Sequence, residues 1–270
     1  MAACSHVGTM RVMLLHVVAD FGTGDLAFAE VAQRFALLFP DATVVSTAVP
    51  PFATLVAGFV TAQLALNDGP DNRVVFQNVA PRRDDDQARR DNDGERLLHA
   101  VLPSGVQVVG VDAGYAFSFL AEAGASFRVI DVATRGSQFR SRDLFPEAMA
   151  AALRGERLAD AVDPASLPSV PNQRLAYVDG FGNLKTTLTQ EALPEPGSIC
   201  SVTLGGVTQE VMVADGVFAV PHGSLVLAPG SSGWTMPDGS RRRWVEVLLR
   251  GGSAHAAFGH PAVETELVLS

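Results

Sequence analysis

Residues 16–25 read H-V-V-A-D-F-G-T-G-D, and the chain's organisation follows from them. An apolar run over residues 11–19, rich in Val and Leu, has the texture of a buried strand. It stops at Asp20, and Gly22 and Gly24 allow a sharp turn. Phe28, Val31, Ala32, Phe35 and Leu38 then recur at helical spacing. A strand, a glycine turn and a helix put Asp20 at the carboxyl end of a first strand, where open α/β sheets bind ligands. Asp25 falls at the helix start. Either aspartate has an ordinary use, Asp20 in a turn and Asp25 as a helix cap. Together they also form a carboxylate pair suited to a ligand's hydroxyl or ammonium groups.

Outward from this point the first half alternates. Strands are predicted over residues 41–47, 72–79, 106–111 and 127–132, and helices over 52–66, about 116–123 and 144–153. The prolines at 50 and 51 break the chain before the second helix. Residues 80–95, A-P-R-R-D-D-D-Q-A-R-R-D-N-D-G-E, lack apolar periodicity and read as a mobile surface loop, a solvated excursion or a cover for a ligand. Three prolines within residues 155–171 mark a linker. Short β-rich runs follow at 174–178, 198–204, 207–213, 225–228, 244–249 and 264–269. The expected fold is therefore an α/β domain over residues 10–155 with a mostly parallel central sheet. A linker at 156–171 and a smaller all-β barrel over 172–270 complete it.

Composition narrows the function. A net charge of -9 disfavours nucleic acid. The two cysteines, Cys4 and Cys200, have no C-x-x-C partner, and the six histidines are scattered, so no metal site is expected. No apolar run is long enough for a bilayer, and residues 1–9 lack a secretion signal and read as a flexible extension. The expectation is a cytoplasmic protein with no membrane partner. No phosphate-binding glycine loop, nucleophile elbow or zinc-protease motif is present. Two local patterns stand out. F-R-S-R-D at 139–143 is either a cap with an anion-binding arginine or a surface charge pair. Y-V-D-G-F-G-N at 177–183 is either a β-turn or an aromatic–amide pair for a flat heteroaromatic ring.

Taken in order, D-F-G-x-x-D at 20–25, P-P-F at 50–52, F-x-S-R-D at 139–143 and D-G-F-G-N at 179–183 resemble the S-adenosylmethionine hydroxide adenosyltransferase family, whose relatives include fluorinating and chlorinating enzymes. S-S-G-W at 231–234 and W-V-E-V-L-L-R-G-G-S-A at 244–254 extend the likeness, which runs from about Arg11 to the C-terminus. The resemblance implies a homotrimer that binds S-adenosylmethionine between the α/β domain of one subunit and the barrel of the next. By position, Asp20 would hold the ribose hydroxyls and Phe52 would flank the ribose. Asp25 and Asp179 would hold the methionine ammonium, with Ser231 nearby. Asn183, Phe181 and the backbone near Gly251 would face the adenine.

The implied reaction is substitution at ribose C5′ with methionine leaving: by water or hydroxide to give adenosine, or by a halide. S-adenosylmethionine is then the substrate, and no cofactor is implied. The chain departs from the pattern at the water site. The hydrolases carry an Asp in V-D-P-G, where this chain has Val79-Ala80-Pro81-Arg82. They carry a His in F-H-G-R-D, where it has Arg140. Arg96 matches their arginine, and Ser141 falls where the fluorinating relatives carry a halide-contacting serine. Hydrolysis, with Arg96, Arg140 and Ser141 as the catalytic candidates, is one expectation. A binding protein for S-adenosylmethionine or adenosine that has lost the chemistry is a second, and a halogenase a third.

Overall fold

The computed structural model describes residues 12–83, 86–87, 94–133 and 136–270. The expected N-terminal extension, and residues 84–85 and 88–93 of the charged loop, lie outside the described residues. The element order is β1 (Leu14–Ala19), α1 (Leu26–Leu38), β2 (Thr43–Ala48), α2 (Thr54–Leu66), β3 (Arg73–Asn78), β4 (Leu97–Val101), β5 (Gln107–Val111), α3 (Ser118–Glu122), β6 (Ser126–Ile130), α4 (Arg140–Asp143), α5 (Phe145–Leu153) and β7 (Leu158–Val162). There follow β8 (Leu175–Val178), β9 (Leu184–Thr189), β10 (Ile199–Leu204), β11 (Val207–Val213), β12 (Leu225–Thr235), β13 (Arg241–Leu249), α6 (Ala254–Ala257) and β14 (Leu267–Leu269).

The first sheet has seven strands in the order β2-β1-β3-β5-β4-β6-β7. Only β2, β1, β3 and β5 pair in parallel. β4 inserts antiparallel between β5 and β6, and β7 adds antiparallel at the edge. The sheet is thus parallel on one side and antiparallel on the other, which corrects the expectation of a mostly parallel one. β7 lies within the segment read as a linker. Side chains alternate across the sheet as period two requires. On β3, Val74 and Phe76 pack with Val31 and Phe35 of α1 and Met149 of α5, while Val75 packs with α2 on the opposite face.

The second sheet also has seven strands, in the order β14-β10-β11-β12-β13-β9-β8. It curls until its two edge strands approach, with an antiparallel bridge between Arg174 and Glu266. α2 lies between the two sheets. Its Phe59 and Phe119 of α3 meet Trp234 and Trp244 of the second sheet at ring separations of 5.4–6.4 Å. A helix with apolar residues all round is buried on every side, and α2 has ten buried residues. Across this junction Glu264 accepts the backbone N–H of Leu55 (2.7 Å), and Gln63 accepts that of Gly233 (3.1 Å). No helix among the described residues is long and apolar enough to cross a membrane.

Candidate functional site

β1, β3 and β5 run in one direction and end at one rim, at Ala19, Asn78 and Val111. Because β4 is antiparallel, its first residue, Leu97, lies opposite Val111 and Ile130 at that same rim. The segments after β1 and β3, before β4 and around α4 therefore converge. A cleft of about 340 Å³ opens there. It is lined by Asp20, Phe52, Arg140 and Ser141 of the proposed site residues, and by Ala80. Asn78, Arg82 and Glu95, which the sequence reading missed, complete the polar lining with Gln138.

Asp20 follows β1 directly, and its Oδ2 accepts the backbone N–H of Phe52 at 2.9 Å. Burial pushes this carboxyl above the ordinary aspartate value, against the opposing pull of that hydrogen bond. Phe52 adopts a left-handed backbone, φ 62°, and is 54% exposed. It stands before α2 and not within it, because the helix begins at Thr54, which corrects the expected start at residue 52. A left-handed conformation costs an L-residue roughly 1–2 kcal/mol, so the bond to Asp20 holds an exposed aromatic ring at the lip of the cleft in a conformation it would otherwise avoid. Beside it, Phe21 packs edge-on to Phe28 (5.1 Å) and Phe139 (5.8 Å).

The other wall is built from the ends of the charged loop and from α4. Glu95 is 8% exposed, and its Oε1 accepts the backbone N–H of Arg82 at 2.5 Å. Arg140 donates through Nη1 to the Glu95 carbonyl at 3.2 Å, and its guanidinium lies 4.9 Å from the centre of the Phe145 ring. Ser141 is buried next to it. Asp143 is not the cap of the following helix, which has none from a side chain. It takes two bonds from Arg142, at 2.7 and 2.9 Å, which hold its carboxyl well below the ordinary range, at about 2. Of the two readings of F-R-S-R-D, the charge pair is the one formed.

Two of the proposed residues on the first sheet's side, Asp25 and Arg96, lie outside this cleft. Asp25 is exposed and caps α1, its Oδ1 accepting from Ala27 N at 2.8 Å. Arg96 pairs with Asp112 through Nε at 2.6 Å and lines a neighbouring concavity of about 500 Å³. Arg140 and Gly94 border both spaces.

The remaining candidates gather on the second sheet. Asp179, Phe181, Asn183 and Ser231 line a concavity of about 380 Å³ together with Lys185 and Glu246. The D-G-F-G-N segment is the turn joining β8 to β9. Asp179 Oδ1 accepts from the backbone of Phe181 (2.9 Å) and Asn183 (3.0 Å), and its Oδ2 from Asn183 Nδ2 (2.9 Å). Gly182 is required there, since φ is 79° and a Cβ would strike the Ser253 side chain. Phe181 projects outward, 82% exposed. Beneath the turn Glu246, 3% exposed, receives Lys185 Nζ at 2.7 Å, the backbone N–H of Ser231 at 2.9 Å and the Ser232 hydroxyl at 3.3 Å. Gly251 packs on His222 and does not line this space. Among the described residues, none lines both the rim cleft and the second concavity.

Chemically, the rim cleft offers two carboxylates, guanidinium groups, a hydroxyl and two amides, with no imidazole among the described residues of its lining. Among the described residues no group of three or more His, Cys, Asp or Glu side chains is placed to hold a metal ion.

No protein-family model and no curated protein matches the chain. Solved structures do. An uncharacterized conserved protein from Thermotoga maritima superposes with a TM-score of 0.73 at 19% identity, over 95% of this chain and 100% of that one. A conserved hypothetical protein from Thermus thermophilus gives 0.64 at 24% identity, over 96% and 100%. At these identities the likeness is one of fold, and it takes in both sheets.

Proposed function

We propose that this chain splits S-adenosylmethionine into adenosine and methionine, with water as the nucleophile at ribose C5′. The observation that carries this is the convergence of Asp20, Phe52, Arg140 and Ser141, drawn from three separate motifs, on one cleft at the sheet rim. Asp20 accepts the ribose hydroxyls and Phe52 covers the sugar. Arg140 and Ser141 supply positive charge and a hydrogen bond where the nucleophile sits. Arg96, held by Asp112 beyond Arg140, adds to the local potential from outside. Since the sulfonium is already a good leaving group, the protein's task is mainly alignment and exclusion of bulk solvent.

The second sheet, as the barrel module of this reading, completes the site from another copy in a homotrimer. The outward ring of Phe181 offers a face for adenine. Asn183 donates its amide N–H to Asp179, which leaves its carbonyl oxygen for the adenine amino group. Asp179 and Ser231 face the methionine end. Asp25, engaged at Ala27, has no part in this arrangement.

Ala80 in the cleft lining favours a second reading, a binding protein without turnover, because alanine accepts no proton. One assay decides. Full-length protein is incubated with S-adenosylmethionine, with and without chloride, and the nucleosides are separated. Release of adenosine and methionine in equal amounts is expected. Tight binding without release would replace hydrolysis by the second reading, and a 5′-chloro nucleoside would replace water by halide.

A further inference from the structure

The rim cleft contains a second carboxylate that the roles above leave unused. Glu95 sits just before β4, and β4 begins at the rim only because it runs against its neighbours. The residue is more than nine-tenths buried, yet among the described residues its side chain takes part in one hydrogen bond, from Arg82 N, and no ion pair. A carboxylate has about four acceptor directions. Burying one so thinly satisfied is costly unless something else occupies it. Asp20 and Glu95 are also separated across the rim. Asp20 follows β1 and Glu95 precedes β4, with the ends of β3 and β5 between them. At about 4.8 Å per strand, that spacing accommodates a ribose held at one carboxylate and its C5′ directed to the other. Arg140, which binds the Glu95 carbonyl, and the neighbouring Ser141 mark the Glu95 side as the one that holds small polar groups.

We propose that Glu95 is the base that receives a proton from the attacking water. This rests on the hydrolytic reading of the cleft. The water oxygen bonds to C5′ as the C5′–S bond breaks, and the bonding electron pair leaves with sulfur, which becomes the neutral thioether of methionine. One water proton passes to the Glu95 carboxylate and then to solvent. The other remains in the 5′-hydroxyl of adenosine. Arg82 N fixes Oε1, so the base is held from the segment that follows β3.

The test uses full-length protein, S-adenosylmethionine and a chromatographic readout of adenosine. Glu95→Gln is expected to lower kcat by about 100-fold or more, with KM changed by less than about three-fold. Glu95→Asp retracts the carboxylate by one methylene and should keep part of the activity, with a kcat between those of Glu95→Gln and the wild type. Wild-type kcat in Glu95→Gln would overturn the role of Glu95 and leave hydrolysis standing. If Glu95→Gln does not fold, as circular dichroism would show, wild-type kcat in Glu95→Asp overturns it instead. Absence of adenosine from the wild type would overturn hydrolysis itself.

Discussion

The rim cleft and the concavity on the second sheet are built on opposite plans. In the cleft, Asp20 and Glu95 each accept a backbone N–H from another segment and line the same space. In the second concavity the polar groups satisfy one another. Lys185, Ser231 and Ser232 all bond the buried Glu246, and Asp179 bonds three N–H groups of its own turn. Buried acceptors with few partners are exceptions to the usual satisfaction of buried polar groups, whereas a satisfied network rigidifies its surroundings. On the proposed reading the first region carries the chemistry. The second presents a surface whose outward features include an aromatic ring, one amide carbonyl and the exposed Ser231.

The largest effect that would break this contrast is Glu246→Ala. It strands the Lys185 ammonium in a buried setting, with Asp179 still 4.0 Å away. A loss of about 3–5 kcal/mol in unfolding free energy is expected from chemical denaturation. Glu95→Gln measured alongside should lose less than about 1 kcal/mol, as an uncharged near-isostere whose side-chain oxygen can still accept the Arg82 N–H. Equal losses would mean the two regions do not differ in kind.

Next in size is Asp20→Ala, expected to weaken adenosine binding by about 100-fold, roughly 2.7 kcal/mol, by titration calorimetry. Unchanged affinity would remove Asp20 from the ribose. A pH series sharpens the same point. Burial raises the Asp20 carboxyl above 3.8, so the folded chain holds this proton more tightly than the unfolded one. Its contribution to stability is full below that ordinary value and declines as pH rises through the raised one. Asp20→Asn should lack this decline in melting temperature. Ligand affinity runs the other way, since ribose hydroxyls bind the ionised form, and grows as pH rises through the same range.

The contrast also explains what could be read in the sequence. Strand–glycine–helix at residues 16–25 placed Asp20 at a rim because β1 is short, β-branched and sharply ended, and this is local information. β4 was missed. L-L-H-A-V is five residues long and follows directly on the charged run, and its histidine is buried here and bonded to Gln107 at 2.8 Å. Without β4 the sheet reads as parallel, and Glu95 appears to be the last residue of a solvated loop. Its placement depends on Leu97 pairing with Val111 and Ile130, a contact that charge and periodicity do not encode. Phe52 was assigned to a helix for a similar reason. Its apolar spacing continues that of Val56 and Phe59, while the bond to Asp20 that turns it left-handed comes from another strand. β9 was missed too, since L-K-T-T-L-T carries a lysine whose nearest partner, Glu246, comes from another strand. The motifs of the second sheet were legible as motifs because their bonds are local, the Asp179 turn above all.

The smallest effect tests the boundary of the cleft. Asp25 lies five residues from Asp20, and a short loop would let a carboxylate pair act on one ligand. The structure uses Asp25 otherwise, as the acceptor for Ala27 N at the first turn of α1, with Gly22 and Gly24 in left-handed conformations carrying the chain away from the rim. Asp25→Ala should therefore cost about 1 kcal/mol of stability, the usual value of a helix cap, and Asp25→Ser should restore most of it. Adenosine affinity and kcat should match the wild type in both. A loss of affinity in Asp25→Ala that Asp25→Ser does not repair would show that the negative charge, and not the cap, is what the cleft needs. The rim site would then extend along α1, away from the wall that carries Glu95.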